Sequence, residues 1–248
     1  MLQLAGNIQE LVTNFYGLLI ADQNHRYKSW EHCYAYFSKN DASESIDISC
    51  LHLSFYLASW GMYRGSSFLL WKDYQIHTEI VKKILENKHL QRIDFASVEH
   101  EKLKEIITLI EWIKNWYTEN IKIVNGEQKT INVTDTLVTK ILLGTLGCVP
   151  AYDRYFIDGM RKSGIRYSIL TEGNLESVVD YYKKNQREFD GAQQAIYEKS
   201  KILYPPMKLV DMYFWEIGFQ ADKKKQRAIG LTLALGHKRN MATGDKRF

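Results

Sequence analysis

The chain has 248 residues, of which 45% are hydrophobic and 13% aromatic, so it can bury the core of a folded domain. This composition excludes a disordered chain, and the small number of prolines (3) and the 15 glycines argue against collagen-like or linker sequences. The net charge of +4 is uneven, because eight basic residues face two acidic ones after residue 220. We predict one helical domain over 1–220, in two lobes with a boundary near 120–135, and a basic segment over 221–248. That segment either binds phosphate or is only solvated.

Features that report on cellular location are few. No apolar run approaches the roughly 20 residues that span a bilayer, and residues 1–22 lack the pattern of a secretory signal. Cys33, Cys50 and Cys148 stand far apart and without metal-ligand spacing. We therefore predict a cytoplasmic protein with no membrane partner, no metal and no cofactor.

Apolar residues recur at helical spacing along most of the chain. One stripe runs from Leu4 to Leu19 and another from Ile80 to Leu85. The clearest runs from Leu103 to Tyr117, with Ser97 as the predicted cap. Further helices are predicted over 135–146, 151–163, 174–187, 189–202, 206–219 and 223–236.

One segment has a different pattern. The β-forming runs Ile121–Val124 and Thr130–Val133 flank Asn125-Gly126, a pair that accepts the positive φ values of a type I′ turn. This predicts a β-hairpin near 121–133. The predicted fold class is mainly all-α: a compact domain of about ten helices with one short β-hairpin.

Residues 57–67 interrupt an aromatic-rich helix with small residues and place an arginine between two glycines. Glycine permits close approach of a ligand, arginine and serine bind phosphate, and aromatic rings stack on bases. The stacking candidates are Trp60 and Tyr63, and the phosphate-binding candidates are Arg64, Ser66 and Ser67. The alternative is structural, with the rings in the core and the arginine paired with a carboxylate.

Residues 139–161 contain two apolar helices joined by a turn with Gly144, Gly147 and Pro150. Asp153 stands at the beginning of the second helix, where the helix dipole favours a carboxylate. It lies either at the mouth of a cleft between the helices or serves only as a helix cap.

The run Val149–Arg161, with the helix before it, resembles the segment that carries the catalytic aspartate of helix-hairpin-helix DNA glycosylases. The resemblance covers about residues 136–166 and implies that Asp153 is catalytic in hydrolysis of an N-glycosidic bond. Gly144 and Gly147 stand closer to Asp153 than the hairpin glycines of that family, and no lysine occupies a recognisable lyase position. The resemblance therefore implies a monofunctional enzyme that uses water and acts on DNA, as a duplex or on a flipped base.

The remaining candidates follow from this hypothesis. The base-pocket candidates are Trp60, Tyr63, Tyr152 and Tyr155. The phosphate or DNA contacts are Arg64, Ser66, Ser67, Lys140, Arg154, Arg161 and Lys208. Lys208 and Asp211 are one helical turn apart in an apolar helix, where they either serve a site or form a local ion pair.

The sequence thus predicts a DNA-binding base-excision enzyme, with modified bases and genome defence as its expected context. One alternative is a non-catalytic helical module that binds nucleic acid or a protein. Another is a toxin-like RNase or nucleotide-modifying enzyme. Abasic sites in DNA would distinguish the first of these from the others.

Overall fold

The computed structural model describes residues 7–167 and 169–243, and it describes the backbone alone at 40, 41, 92 and 227–243. Within these residues the chain forms ten α-helices and one two-stranded hairpin. In chain order these are α1 (Ile8–Ala21), α2 (Ser29–Ser38), α3 (Ile46–Ser59), α4 (Thr78–Glu86), α5 (His100–Asn120), β1 (Ile123–Val124), β2 (Glu127–Gln128), α6 (Asp135–Thr145), α7 (Arg154–Lys162), α8 (Glu172–Lys184), α9 (Gln186–Ser200) and α10 (Pro206–Thr243). The predicted all-α class with a short hairpin is confirmed.

The turn of the hairpin is the predicted one, but its second strand is not. Asn125 and Gly126 have φ values of 54° and 78°, as a type I′ turn requires. The two-residue turn brings Val124 opposite Glu127, so β2 is Glu127–Gln128. The prediction of a strand over Thr130–Val133 is wrong, because the paired residues end at Gln128 and this segment continues toward α6 as irregular chain.

Several helix boundaries differ from the prediction. Ser97 does not cap α5, since its hydroxyl donates to Asp94 and the helix begins at His100. The predicted helices 206–219 and 223–236 are one continuous helix, α10, which starts with Pro206 in its first turn. The chain also contains α2, which carries no prediction.

The tightest helix–helix contact is between α7 and α10. A Cβ atom placed on Gly159 would lie 1.9 Å from the backbone oxygen of Phe214, and one on Gly218 would lie 2.0 Å from that of Tyr155. Each helix therefore presents a glycine to the backbone of the other.

A single hydrophobic core includes helices from both sides of residues 120–135. The helix α1, which precedes these residues, packs on α9 and α10, which follow them; likewise α2 and α3 pack on α6. Among the described residues, no helix is long and apolar enough to cross a membrane.

Candidate functional site

A cleft of about 620 Å³ lies between the loop after α3 and the segment that leads into α6. Its lining is formed by residues 61, 62, 64–68, 124, 129–132, 134 and 137, and we call it the basic cleft. Arg64 and Lys129 supply positive charge, Ser66 and Thr130 supply hydroxyl groups, and no carboxylate is present among its described lining residues. Three further clefts each include at least one carboxylate. The basic cleft differs from them in charge and suits an anionic ligand.

The loop that forms one wall of the basic cleft depends on two glycines. The helix α3 ends at Ser59, and the chain turns through Gly61 and Gly65, whose φ values are 77° and 60°. These left-handed conformations favour glycine over any other residue. Ser67 then caps a short 3₁₀ turn by accepting from the Leu69 N–H.

Arg64 lies across Gly61 and is exposed to solvent. A Cβ atom on Gly61 would lie 2.9 Å from the Arg64 Nε atom, so the glycine makes room for the guanidinium stem. Among the described residues, no carboxylate forms a salt bridge with Arg64. The alternative interpretation, in which Arg64 pairs with a carboxylate of the protein, therefore does not hold within the described residues. The guanidinium is open to a ligand.

The same loop is anchored from below by Tyr63. Its hydroxyl lies 3.2 Å from Ser54 Oγ, to which it donates, and 2.9 Å from Nε2 of His77. His77 is fully buried and also bonds through Nδ1 to the hydroxyl of Tyr117. Burial lowers the pKa of His77 to about 3, so the ring is neutral near pH 7. Because Tyr63 donates to Ser54, we assign the proton of the neutral ring to Nε2.

Beneath Trp60 lies a buried group of two lysines and two aspartates, which we call the charge cluster: Lys140, Asp153, Lys208 and Asp211. Lys140 Nζ is 3.4 Å from Asp153 Oδ2, and Lys208 Nζ is 2.8 Å from Asp211 Oδ2. Lys140 lies on α6, Asp153 is the N-cap of α7, and the other pair lies on α10. The local ion pair predicted for Lys208 and Asp211 is confirmed.

Aromatic rings and backbone groups complete the shell of the charge cluster. The Lys208 ammonium lies 5.8, 5.1 and 5.0 Å from the ring centres of Phe15, Trp30 and Trp60. Lys140 donates to the Trp60 carbonyl at 3.1 Å, and Asp211 Oδ1 accepts from the Ala151 N–H at 3.1 Å.

Burial shifts the protonation equilibria of this cluster. It lowers the pKa of Lys140, an effect that the charges of Asp153 and Asp211 oppose. Burial likewise raises the pKa of Asp211, while Lys208 opposes that rise. For Lys140 and for Asp211, oppositely charged neighbours thus favour the charged form in an environment that disfavours charge.

Asp153 is the N-cap of α7, as one of the two sequence interpretations holds. Its Oδ1 atom accepts from the Phe156 N–H at 3.1 Å, and its Oδ2 atom faces Lys140. The side chain keeps 15% of its exposure, and Asp153 is not among the described lining residues of the basic cleft. Both carboxylate oxygens therefore have partners within the protein.

Lys140 and Lys208 lie in the protein interior, whereas the sequence prediction placed them in contact with phosphate. Predicted as phosphate contacts, they are only 4% and 2% exposed. Their ammonium groups face Asp153 and Asp211 in the interior, so a phosphate on the surface cannot reach them while the helices stay packed. Their role in this structure is to neutralise buried carboxylates.

Of the four aromatic residues predicted to form a base pocket, Tyr152 lies in the core and the other three pack against it. Trp60 stacks on Tyr27 with ring centres 4.3 Å apart, and Tyr155 packs edge-on against Trp215. Tyr152 is fully buried, and Tyr63 is held by its hydroxyl group as described above. The structure does not bring these four rings to one open pocket.

Arg154 and Arg161 are exposed but have acidic neighbours. Arg154 lies 3.2 Å from Asp222, and Arg161 lies 3.8 Å from Asp158. Lys223, Lys224 and Lys225 are exposed on α10, whereas the other basic side chains of the predicted segment 221–248 lie outside the described side chains.

The glycines before Asp153 serve packing. A Cβ atom on Gly144 would lie 2.3 Å from the ring of Tyr56, and one on Gly147 would lie 2.5 Å from Pro205. Gly147 also has a φ of 64°. Side chains from elsewhere in the protein thus fill the space beside both glycines.

The sequence interpretation missed part of the basic cleft. Lys129, Thr130 and Asn132 line it, although the last two fall in the strand predicted over Thr130–Val133. The signal that could have found them is a polar run directly after the Asn-Gly turn, since a two-residue turn ends its hairpin early. The exposed Trp71, discussed below, also carries no prediction.

The sequence matches no protein-family model, and the comparisons with curated proteins and with solved structures likewise give no match.

Proposed function

We propose that this chain binds DNA through the basic cleft. The observation that carries this proposal is a cavity of about 620 Å³ with Arg64 and Lys129 in its lining and no carboxylate among the described lining residues. Arg64 also has no ion-pair partner within the described part of the chain, so its charge is available to a phosphate. Hydroxyl and amide groups in the same lining add neutral hydrogen-bond donors. The three cysteines are free buried thiols, and a cytoplasmic location is part of the proposal.

Base excision is the catalytic form of this proposal, with Asp153 as the catalytic residue. Cleavage of an N-glycosidic bond develops positive charge on the deoxyribose, which a nearby carboxylate stabilises. The beginning of α7 and the ammonium group of Lys140 fix the carboxylate in place. A deoxyribose would have to approach through the exposed edge of Asp153 and share the carboxylate with Lys140. Modified bases and genome defence remain the proposed context.

A specific observation favours the second candidate, a non-catalytic helical module that binds nucleic acid. Both oxygens of Asp153 already have protein partners, which is what a structural cap requires. In that case DNA binds in the basic cleft and leaves unchanged.

Two variants test these candidates. Arg64→Ala should weaken binding of a labelled DNA duplex or single strand at least severalfold, because a charge-assisted phosphate contact is lost. Equal affinity of Arg64→Ala and the parent chain would contradict the proposed DNA site.

For catalysis, Asp153→Asn preserves a good N-cap but removes the charge. If base excision occurs, alkali-labile sites form with the parent chain and disappear with this variant, while the control Asp222→Asn retains activity. DNA binding without base loss in the parent chain would establish the non-catalytic module instead.

A further inference from the structure

An exposed aromatic residue lies in the short turn that continues from the wall of the basic cleft. A short 3₁₀ turn, Phe68–Trp71, continues from the cleft wall: Phe68 and Leu69 are buried, whereas Trp71 keeps 52% of its exposure. Its indole ring is an aromatic face of the kind on which nucleic-acid bases stack.

The turn and the hairpin are tied together at this edge. Lys72 Nζ donates to the carbonyl of Ile123 at 2.7 Å, and Ile123 itself is 57% exposed. The next residue, Val124, lines the basic cleft. Two exposed apolar residues thus stand close in the chain to the positively charged lining: Trp71 follows the lining residue Phe68 by three positions, and Ile123 precedes the lining residue Val124.

This arrangement matches the two chemical parts of a nucleotide whose base is unpaired. A phosphate needs cations and hydroxyl donors, while a free base needs an aromatic face on which to stack. In a duplex the base faces are already stacked on each other and are closed to a side chain. The rings predicted from sequence as base contacts pack in or against the core, whereas Trp71 is an exposed ring in the turn that continues from the cleft wall.

We propose that the basic cleft and Trp71 form a site for single-stranded DNA, an inference that rests on the proposed DNA binding. The phosphate lies near Arg64 and Lys129, and a base stacks on Trp71. The site then prefers unpaired DNA over a duplex of the same sequence.

The experiment measures the anisotropy of a fluorescein-labelled 20-nucleotide oligothymidylate and of its duplex with oligoadenylate, using the full chain. We expect tighter binding of the single strand, and we expect Trp71→Ala to weaken that binding about tenfold. Trp71→Phe should retain most of the affinity because it keeps an aromatic face. Phe55→Ala is the matched control, since Phe55 on α3 is 63% exposed and does not line the cleft.

Equal single-strand affinity for Trp71→Ala and the parent chain, or a preference for the duplex, would overturn this inference. In either case a loss of binding in Arg64→Ala would leave the proposed DNA binding intact. If the parent chain binds neither oligonucleotide, both the DNA-binding proposal and the inference fail.

Discussion

Lys208 and Asp211 stand one helical turn apart, and both side chains are almost completely removed from water. Such a pair contributes less by attraction than it costs when one partner is lost, because the other charge then stays buried without compensation. If Lys208 were lost, the aromatic rings around its ammonium group could not replace water or that group as a partner of the Asp211 carboxylate.

We therefore predict that Lys208→Met lowers the free energy of unfolding by about 3–5 kcal/mol. Lys208→Met combined with Asp211→Asn should recover much of this loss, since asparagine is neutral and still accepts from the Ala151 N–H. Urea denaturation of the two single variants and the double variant measures the effect. Additive losses would show that the two side chains do not interact.

His77 gives the molecule a stability that depends on pH. Its pKa falls from 6.5 in the unfolded chain to about 3 in the folded state because of burial. The contribution of the neutral ring to stability is therefore fully present above pH 6.5. It declines as the pH falls from 6.5 toward 3, because over this range the unfolded chain binds a proton that the folded chain does not.

Between pH 7.5 and 5.5, this residue should remove about 1 kcal/mol from the free energy of unfolding. The variant His77→Gln should show a correspondingly smaller loss over that interval, whatever its stability at pH 7.5. Urea denaturation at both pH values provides the comparison. An identical pH dependence in the two proteins would mean that His77 titrates alike in the folded and unfolded states.

At the scale of the elements, the crossing of α7 and α10 depends on Gly159 and Gly218. Any side chain at these positions meets the backbone of the facing helix, which cannot yield as a flexible side chain does. The two aspartates of the charge cluster are Asp153, the N-cap of α7, and Asp211, in the second turn of α10, so the packing of these two helices positions both of them.

Gly159→Ala should destabilise the chain by about 2 kcal/mol or more, as overpacking does in other interiors. The matched control is Gly17→Ala, because Gly17 lies within α1 and a Cβ atom there meets no atom within 4 Å. That control should raise stability by about 0.5–1 kcal/mol through helix propensity. Thermal unfolding of both variants tests the contrast, and equal melting temperatures would refute it.

Most helices could be predicted from sequence because one face of each carries apolar residues at helical spacing. The helix α2 shows the same spacing at Trp30, Cys33, Tyr34 and Phe37, so its signal was present but unused. The join of two predicted helices into α10 was not predictable from local pattern alone, since the basic run at 223–225 resembles a helix boundary. The second strand was predicted at the wrong residues because the prediction followed the alternation of apolar residues over 130–133. A two-residue turn at 125–126 instead places the second strand directly after it.

The site was predictable only in part, for a physical reason. Arg64, Ser66 and Ser67 do line one cleft, and their proximity in the sequence made that prediction local. Burial of Lys140 and Lys208 depends on α6 and α10 meeting across the core, which residue spacing does not reveal. Lys129 and Trp71 join the same region only through the hairpin and the 3₁₀ turn.

At the scale of the whole molecule, the buried charge cluster and the basic cleft differ in their balance of positive and negative charge. The charge cluster balances two lysines against two aspartates in the interior, and the basic cleft presents unbalanced cations to solvent. We propose that these surface cations, rather than the buried ones, contact DNA.

The most direct test is the salt dependence of DNA affinity for the parent chain and for Arg64→Ala. Binding to phosphate releases counterions, so the logarithm of the affinity falls linearly with the logarithm of the salt concentration. We expect Arg64→Ala to reduce the magnitude of that slope by about 1, as the loss of one phosphate contact predicts. An unchanged slope and affinity in Arg64→Ala would contradict the assignment of the basic cleft as the DNA site.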